Sequence, residues 1–408
     1  MGYLLVEVDT DREMPSVTLP QERDGLALIV WRRGRPIGFL MRSFPGGTQL
    51  SSGEVGRLVG EAAGEKLLQE QIRDELPSPA TSMPLPAVTV AVCTRDHPYL
   101  LARCLASLRE ASSAARAEAP SVEIVVVDNA PPDERTRQMA ARFHEVRYIR
   151  EPRAGLDFAR NRALAEAGGE LLAFIDDDAV ADRVWLRGLA EAWNENPDAG
   201  AFTGLVLPLE LETRAQVLFE ERGGFRRGFE KLRYQGQTLG GNSLYPCGAG
   251  IFGAGCNMAF RRDLLLELGG FDEALDTGAP LPGGGDLDIF YRVIRAGHAL
   301  VYEPRFAVRH QHRRGYAELR KQYWSWGTGF MAFLDKSYRA DPALRSRLRR
   351  TVGWWFAHQT RQVLRGIAGR GAYPLDLAVA ELLGGATGIL GGYRRSVARS
   401  DRIRERHG

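Results

Sequence analysis

Three consecutive carboxylates, Asp176, Asp177 and Asp178, directly follow the apolar residues 171–175. In an extended segment residues i and i+2 share a face, so Asp176 and Asp178 are predicted to act together while Asp177 points away. Adjacent carboxylates repel one another unless a positive charge lies among them, and a divalent cation that holds a diphosphate would supply that charge. We therefore expect Mg²⁺ or Mn²⁺ here. The alternative is a solvated acidic turn that caps the next helix.

Two other apolar runs also end in polar residues. Residues 88–92 lead into Thr94, Arg95 and Asp96, and residues 123–127 lead into Asp128. Ligands of open parallel sheets bind at the carboxyl ends of strands, so we expect these side chains near the same ligand as the acidic run. The first turn lacks G-x-G-x-x-G, and no G-x-x-x-x-G-K-[ST] occurs, which disfavours a hydride-transfer enzyme and a P-loop ATPase. A nucleotide bound through side chains remains open.

The three runs and the segments between them predict an α/β core with a mostly parallel, Rossmann-like sheet flanked by helices. The runs are nearly continuous in β-branched and other apolar residues, as is typical of strands covered on both faces. Helical patterns at the spacing of βαβ units lie around residues 99–114, 132–143, 156–167 and 183–194.

The residues before this core predict a small α+β module. Apolar runs within residues 22–44 flank Gly34, which can supply the positive φ of a hairpin turn. Ser51 and Glu54 fit a capping box at the start of a helix that continues to about residue 76. Four prolines among residues 77–86 then predict a stiff, extended linker and a domain boundary.

Three regions are therefore predicted. They are an N-terminal module with its linker (1–85), the α/β domain (86–312), and a C-terminal helical, basic region (313–408). The whole chain has 54 Lys+Arg against 51 Asp+Glu, a balance that does not favour nucleic acid as a partner. The four cysteines form no C-x-x-C pair, so neither a zinc site nor a redox pair is expected from them.

The sequence predicts a cytoplasmic protein. The N-terminus lacks the basic start of a secretory signal. Residues 375–393 are apolar but include Asp376, Glu381 and several glycines, so we expect no transmembrane segment. Residues 393–408 carry six arginines against two acids, which predicts peripheral contact with anionic lipid at the inner face of the cell membrane.

Six segments together resemble glycosyltransferase family 2, whose members transfer sugars from nucleotide donors and have a GT-A fold. The segments are residues 88–96, 122–130, 150–164, 171–179, 253–262 and 283–304. The resemblance implies a hexosyltransferase-like, inverting enzyme that moves a sugar from a nucleoside diphosphate to an acceptor hydroxyl. The acceptor would be a glycan, a polysaccharide or a lipid-linked molecule.

The resemblance also implies roles for individual residues. Thr94, Arg95, Asp96 and Asp128 would hold the nucleoside, Arg160 and Asn161 would lie near the nucleotide, Asp176 would contact the ribose side and Asp178 the metal. Arg153 and Arg160 can each face a phosphate, although a surface ion pair is the alternative for either one.

An inverting displacement needs one general base, and the resemblance places it at Asp286. Many relatives carry Glu before this Asp, where this chain has Gly285. Asp288 is close in sequence, but on a helix the two carboxylates are about 200° apart, so at most one faces the site. The alternative for both is an Asp that stabilises a helix N-terminus.

Residues after the core offer further candidates. His310 is favoured as an additional metal ligand, beside Asp176 and Asp178, against the alternative that it and His312 form a basic surface. Trp324, Trp326, Trp354 and Trp355 fit sugar stacking, a membrane interface or core packing.

Two rival functions remain open from the sequence. Gly285 is compatible with a catalytically inactive subunit that only binds a sugar nucleotide or serves as a scaffold. A nucleotidyltransferase would also use a parallel sheet and a divalent cation held by carboxylates. This function is disfavoured because no Gly-rich, basic loop follows the first strand of the core.

Overall fold

The computed structural model describes residues 2–75, 83–278 and 280–407. Most of the predicted linker, residues 77–82, therefore lies outside the described residues. The strands of the N-terminal module are β1 (Gly2–Asp9), β2 (Val17–Thr18), β3 (Arg23–Arg32), β4 (Arg35–Ser43) and β5 (Gln49–Leu50), followed by helix α1 (Ser52–Glu75).

The predicted hairpin and helix of this module are confirmed. β3 and β4 pair antiparallel, and both turn residues, Arg33 and Gly34, have positive φ (47° and 71°). The hydroxyl of Ser51 donates to the Glu54 carboxylate at 2.7 Å, and the Glu54 amide donates back at 3.4 Å. The sequence reasoning missed β1, which pairs parallel with β3.

The module packs against the central domain. The Tyr3 amide donates to the Leu211 carbonyl at 2.6 Å, and Glu7 accepts from the Arg309 guanidinium at 2.7 Å. Ile29 and Trp31 belong to the same buried apolar cluster as residues of the central sheet. The sheet of the module therefore shares a core with the domain that follows the linker.

A nine-stranded sheet forms the centre of the molecule. Its strands are β6 (Val88–Thr94), β7 (Val122–Asn129), β8 (Val146–Glu151), β9 (Leu171–Asp176), β10 (Ala179–Ala181), β11 (Ala199–Pro208), β12 (Leu232–Tyr234), β13 (Asn257–Arg261) and β14 (Ala299–His310). The order along the sheet is β10-β14-β11-β13-β9-β6-β7-β8, with β12 paired to β14. β6 to β9 and the pair β11 and β14 are parallel, whereas β10, β12 and β13 pair antiparallel with their neighbours.

Helices cover both faces of this sheet. They are α2 (Pro98–Ala114), α3 (Arg135–Ala140), α4 (Leu156–Glu166), α5 (Trp185–Glu195), α6 (Arg214–Glu221), α7 (Arg262–Glu267) and α8 (Gly285–Arg295), with a short 3₁₀ turn at Ala249–Ile251. The predicted mixed α/β fold with a mostly parallel sheet is thus confirmed. The register places Cys93 opposite Asp176 and Thr94 opposite Asp128, so the polar strand ends share one edge.

The C-terminal region is helical, as predicted. It contains α9 (Tyr316–Ala340), a 3₁₀ turn (Pro342–Leu344), α10 (Arg345–Ile367), α11 (Leu375–Thr387), a π turn (Gly388–Gly392) and α12 (Tyr393–His407). Helices α9 and α11 approach closely because Gly384 has no side chain: a Cβ there would lie 2.1 Å from the Trp324 carbonyl oxygen.

The helical stretch Leu375–His407 is long and apolar enough to cross a membrane by length and composition, although 39% of its most apolar window is buried. Its backbone is not helical at Leu390 and Gly391, so the stretch is kinked between α11 and α12. The sequence predicted no transmembrane segment, but the described residues contain this one candidate. Glu381, one of the residues behind that expectation, is itself buried and pairs with Arg222. Its charge faces the protein interior, so it does not interrupt the outer surface of the helix.

Candidate active site

A cavity of about 670 Å³ opens at the carboxyl edge of the central sheet. Five of the predicted site residues line it, namely Arg160, Asp176, Asp178, Asp286 and His310. They come from helix α4, the end of β9 and the turn after it, the first turn of α8 and the end of β14. Residues as far apart as 160 and 310 therefore face one space.

The acidic run divides between two sides of the backbone, as its alternation predicts. Asp176 and Asp178 line the cavity. Asp177 faces away, where it accepts from the Thr94 hydroxyl at 2.5 Å and lies 3.3 Å from His97 Nδ1. Asp177 thus ties the turn after β9 to the end of β6.

His310 meets the acidic run because β10, which follows the run directly, pairs antiparallel with the end of β14. The Nε2 atom of His310 lies 3.2 Å from Asp178 Oδ1, a buried oxygen that makes no hydrogen bond within the described residues. Asp176, Cys256 and His310 each bring a ligand atom within 4.8 Å of the others. This unpartnered oxygen, together with carboxylate and imidazole donors, fits a divalent cation such as Mn²⁺.

The carboxylate of this group, Asp176, and the neighbouring Asp178, which contacts His310, differ in how tightly each holds a proton. Burial and the neighbouring Asp178 raise the pKa of Asp176 to about 7. Burial also opposes the charge on Asp178, but the His310 imidazole and the Arg313 guanidinium outweigh it and lower the pKa of Asp178 to about 2. Asp178 is therefore the permanent negative charge of the group.

Cys256 was not singled out from the sequence. It lies in the loop before β13, and burial holds the pKa of its thiol well above the ordinary value. A cysteine sulfur is a soft donor, so the carboxylates and His310 suit a hard cation better than Cys256 does.

Asp286 is oriented by backbone amides at the start of α8. Its Oδ2 atom accepts from the Gly255 amide at 3.0 Å, and its Oδ1 atom accepts from the Leu287 amide at 2.8 Å. Asp288 faces the other way, is buried, and pairs with Arg292 (2.8 Å) and Lys336 (2.6 Å). As predicted, only one of the two carboxylates faces the cavity.

Position 285 has no room for a side chain. A Cβ there would lie 2.1 Å from Asp157 Oδ2 and 2.6 Å from Asp276 Oδ2. The Gly285 amide donates to Asp276 at 3.2 Å. The carboxylates of Asp157 and Asp276 thus occupy the space that a larger residue before Asp286 would need.

Arg160 lies between these two carboxylates. Its guanidinium donates to Asp157 at 2.9 Å and to Asp276 at 3.1 Å. Burial and the charge of Asp286 raise the pKa of Asp276 to about 6, even though Arg160 lowers it. Asp157 is fully buried and its pKa is also raised, chiefly by burial and by Asp276. Neither carboxylate was among the site residues predicted from sequence.

The predicted nucleoside residues lie outside the cavity lining. Thr94 and Asp128 are neighbours at the ends of β6 and β7, and both are buried. Asp128 accepts from the Tyr148 hydroxyl at 2.9 Å, while its Oδ1 atom has no hydrogen-bond partner within the described residues. Arg95 and Asp96 are exposed in the turn after β6, where Asp96 pairs with Arg135 at 2.6 Å.

Arg153 and Asn161 are engaged within the protein. Arg153 pairs with Glu151 at 2.7 Å, and Asn161 binds the Phe271 amide at 2.8 Å and its carbonyl at 2.9 Å. The ion pair that the sequence left open for Arg153 is therefore present. Asn161 fixes the loop that carries Asp276, and the structure does not bring it to the cavity.

Aromatic residues of the C-terminal region form the far wall of the cavity. Trp326, Phe330, Trp354 and Trp355 line it, whereas Trp324 does not. Trp355 is 6% exposed and packs in the core, while Trp354 is 49% exposed. Core packing is therefore observed for Trp355, whereas sugar stacking and a membrane interface stay predictions for the exposed Trp354.

Residues 89–269 match the family model for glycosyl transferase family 2. This match supports the predicted resemblance to family 2 glycosyltransferases. A pre-mycofactocin glycosyltransferase of Mycobacterium tuberculosis is 28% identical to this chain over 324 residues, which cover 74% of the chain and 60% of that protein.

Two other relatives match shorter stretches of this chain. A glucosyl-dolichyl phosphate glucuronosyltransferase of Haloferax volcanii is 28% identical over 135 residues, 31% of this chain and 37% of that protein. The succinoglycan biosynthesis protein ExoM of Rhizobium meliloti is 27% identical over 221 residues, 53% of this chain and 64% of that protein. The chain thus spans less than two thirds of the length of each of these relatives.

Among solved structures, the fold is similar to that of the mannosyltransferase PcManGT from Pyrobaculum calidifontis, in complex with GDP-Man and Mn²⁺. The TM-score is 0.47 at 21% identity, and the alignment covers 83% of this chain and 92% of that chain.

Proposed function

We propose that this glycosyltransferase is an inverting, metal-dependent enzyme that moves a sugar from a nucleoside diphosphate to an acceptor hydroxyl. The observation that supports this most directly is the shared cavity. Asp286 faces it from the start of α8, and Asp176, Asp178 and His310 face it from the strand ends. A proton acceptor and a candidate cation site therefore flank one space.

In the proposed reaction Asp286 takes the proton of the acceptor hydroxyl. The acceptor oxygen forms its bond to the anomeric carbon while the bond from that carbon to the diphosphate breaks, and a single displacement inverts the configuration. The amides of Gly255 and Leu287 hold the Asp286 carboxylate in place. A bound cation, held by Asp178, Asp176 and His310, would neutralise charge on the leaving diphosphate. Arg313, 3.8 Å from Asp178, adds positive charge at the same end.

The nucleoside of the donor is proposed to lie along the ends of β6 and β7. Thr94, Arg95, Asp96 and Asp128 are grouped there, and the buried Asp128 Oδ1 is free to accept a hydrogen bond from a base or a ribose. Arg160 would contribute positive charge on the cavity side of the nucleotide.

The acceptor is proposed to enter from the aromatic wall, as a glycan or a lipid-linked molecule. Trp326 and Trp354 can stack on sugar rings or on apolar chains. Helix α11 exposes Leu375 and Leu383 at 36% and 57%, the turn after it exposes Leu390 at 74%, and an arginine-rich helix follows. We propose that this surface lies in the plane of an anionic membrane on its cytoplasmic side, because the opposite face packs on α9. Co-sedimentation with anionic and neutral vesicles tests this, and a failure to bind the anionic vesicles would oppose it.

The reaction is tested with a panel of nucleoside diphosphate sugars with and without Mn²⁺. A product of inverted anomeric configuration by NMR, abolished by EDTA and restored by Mn²⁺, is expected. Retained configuration would exclude the proposed displacement. Thermal shift measurements with nucleoside diphosphates and triphosphates distinguish a glycosyltransferase from a nucleotidyltransferase. A glycosyltransferase should be stabilised more by diphosphates, and a nucleotidyltransferase more by triphosphates. A fully inactive protein that still binds sugar nucleotides would favour the scaffold alternative.

A further inference from the structure

A buried series of polar side chains extends from the candidate cation site into the protein. His310 Nε2 lies 3.2 Å from Asp178, and His310 Nδ1 lies 3.1 Å from His312 Nδ1. His312 Nε2 lies 2.6 Å from the Glu220 carboxylate, whose second oxygen contacts the Arg226 guanidinium. His310, His312 and Glu220 are 6%, 3% and 2% exposed, so water does not compete for these contacts.

The Glu220 carboxylate, at the buried end of this series, determines which nitrogen of each histidine donates and which accepts. A carboxylate only accepts, so His312 must donate from Nε2 to Glu220. In a neutral imidazole the other nitrogen then carries a lone pair, so His312 Nδ1 accepts the proton of His310 Nδ1. With Nδ1 of His310 donating inward, its Nε2 is the nitrogen left to face Asp178 and the cavity.

We propose that Glu220 and His312 are positioning residues that fix the tautomer and ring orientation of His310, so that its Nε2 lone pair faces the cation. The inference rests on the metal dependence in the proposed function. Second-shell hydrogen bonds of this kind orient metal-binding histidines and make them more basic ligands. What is assigned here is the inner pair of residues, which come from α6 and from the segment after β14.

The apolar surroundings support a fixed arrangement. The ring of His312 lies 4.4 Å from that of Phe219, and the ring of His310 lies 5.3 Å from that of Phe225. Phe225 also packs against Trp326 at 6.0 Å. Apart from these rings, the described residues give His310 two polar side-chain contacts, with Asp178 and with His312. His312 in turn contacts His310 and Glu220.

Glu220→Gln tests the direction of the series with little change in volume. The carbonyl of the introduced glutamine would face Arg226, which only donates, so the amide of that glutamine would donate to His312 Nε2. The proton of His312 would move to Nδ1, and His310 would then hold its proton on Nε2, towards the cation. Mn²⁺ affinity, measured by electron paramagnetic resonance of free Mn²⁺, should weaken ~10–100-fold.

Glu221→Gln is the matched control, because it makes the same change in the next residue, which pairs with Arg214 at the surface. It should bind Mn²⁺ like wild type. Unchanged Mn²⁺ affinity in a folded Glu220→Gln protein would overturn the inference.

A second measurement does not depend on how well the variant folds. Long-range ¹H–¹⁵N NMR of wild type labelled at its seven histidines reports each tautomer, with His310→Gln and His312→Gln providing assignments. We expect a proton on Nδ1 of His310 and on Nε2 of His312. The opposite tautomers would overturn the inference even if sugar transfer is metal-dependent. Absence of Mn²⁺ binding by wild type would overturn it together with the metal dependence, whereas loss of donor binding alone would affect only the proposed function.

Discussion

At the scale of residues, the two carboxylates of α8 should differ in what their removal changes. Asp286→Asn keeps size and hydrogen bonding but removes basicity. Transfer turnover should fall ~10²–10⁴-fold, the range of a positioned general base, while donor affinity stays near normal. Steady-state turnover beside calorimetric donor binding checks this. Near-normal turnover would remove Asp286 as the base and direct attention to Asp276.

Asp288→Asn is the companion variant. Its carboxylate pairs with Arg292 and Lys336 away from the cavity, so its loss should lower the melting temperature and leave turnover of the folded protein largely intact. A large loss of turnover without loss of stability would contradict the division of roles between the two residues.

The acidic run gives a second residue-scale prediction. Asp178→Asn should abolish the dependence of nucleoside diphosphate binding on Mn²⁺, because it removes the permanent charge of the candidate cation site. Asp177→Asn should retain that dependence, since its side chain faces Thr94 and an amide oxygen can still accept from the hydroxyl. Calorimetric titrations over a series of Mn²⁺ concentrations compare the two. Equal behaviour of the variants would mean that the cation lies elsewhere.

Asp276 predicts a dependence of stability on pH. Its pKa is raised to about 6 in the folded protein from an ordinary value of 3.8, chiefly by burial, so the folded state binds this proton more tightly. The contribution of Asp276 to the free energy of unfolding is therefore fully present below about pH 4. This contribution falls by on the order of 3 kcal/mol as pH rises from about 4 to about 6. The melting temperature of wild type should fall over this range more than that of Asp276→Asn. Parallel curves would contradict the raised pKa.

The site residues that sequence could indicate are those with a local signal. The alternation of Asp176, Asp177 and Asp178 predicts their faces because strand geometry is local. The contact of Arg160 with Asp276 joins residues 116 positions apart, and it depends on how the loop after Phe271 folds over α4. No spacing in the sequence reports that approach. The contacts of Asn161 have no local signal for the same reason, since its partners lie in that loop.

At the scale of elements, the hairpin and helix of the N-terminal module had clear signals in turn residues and capping. The strands β1, β2, β5, β8 and β11 and the antiparallel β10, β12 and β13 were not predicted. β10 and β12 have three residues each, too few to show a period, and β8 alternates charged and apolar residues only partly. Their pairing depends on the strands beside them.

The proline-rich linker predicts that residues 1–84 are dispensable for donor hydrolysis or sugar transfer, but the packing of the module indicates that the fold needs them. Removing them would expose the partners of Ile29 and Trp31 and would leave Arg309 without Glu7. We expect residues 85–408 to aggregate or to melt at a clearly lower temperature than the full chain. Size-exclusion chromatography and differential scanning fluorimetry check this, and equal melting temperatures would restore the module as a separate domain.

At the scale of the whole molecule, the alternation of apolar runs and helical patterns was enough to predict the α/β core. It could not predict that the C-terminal helices close the far side of the cavity. That arrangement depends on helix contacts through Gly384 and on α9 lying over α8, which are encoded in no single segment. The α/β core and the proposed acceptor wall thus come together only when segments far apart in the sequence pack against each other.

The contact between Glu7 and Arg309 spans 302 residues, and this has a consequence for biosynthesis. At roughly 5–20 residues per second, a ribosome needs about 15–60 s to add that much chain. During this interval the hairpin can form, but the face that carries Ile29 and Trp31 has nothing to cover it. The nascent protein therefore exposes this apolar surface, which favours aggregation, through most of its synthesis. Its yield in cells should depend on the chaperones that bind chains emerging from the ribosome.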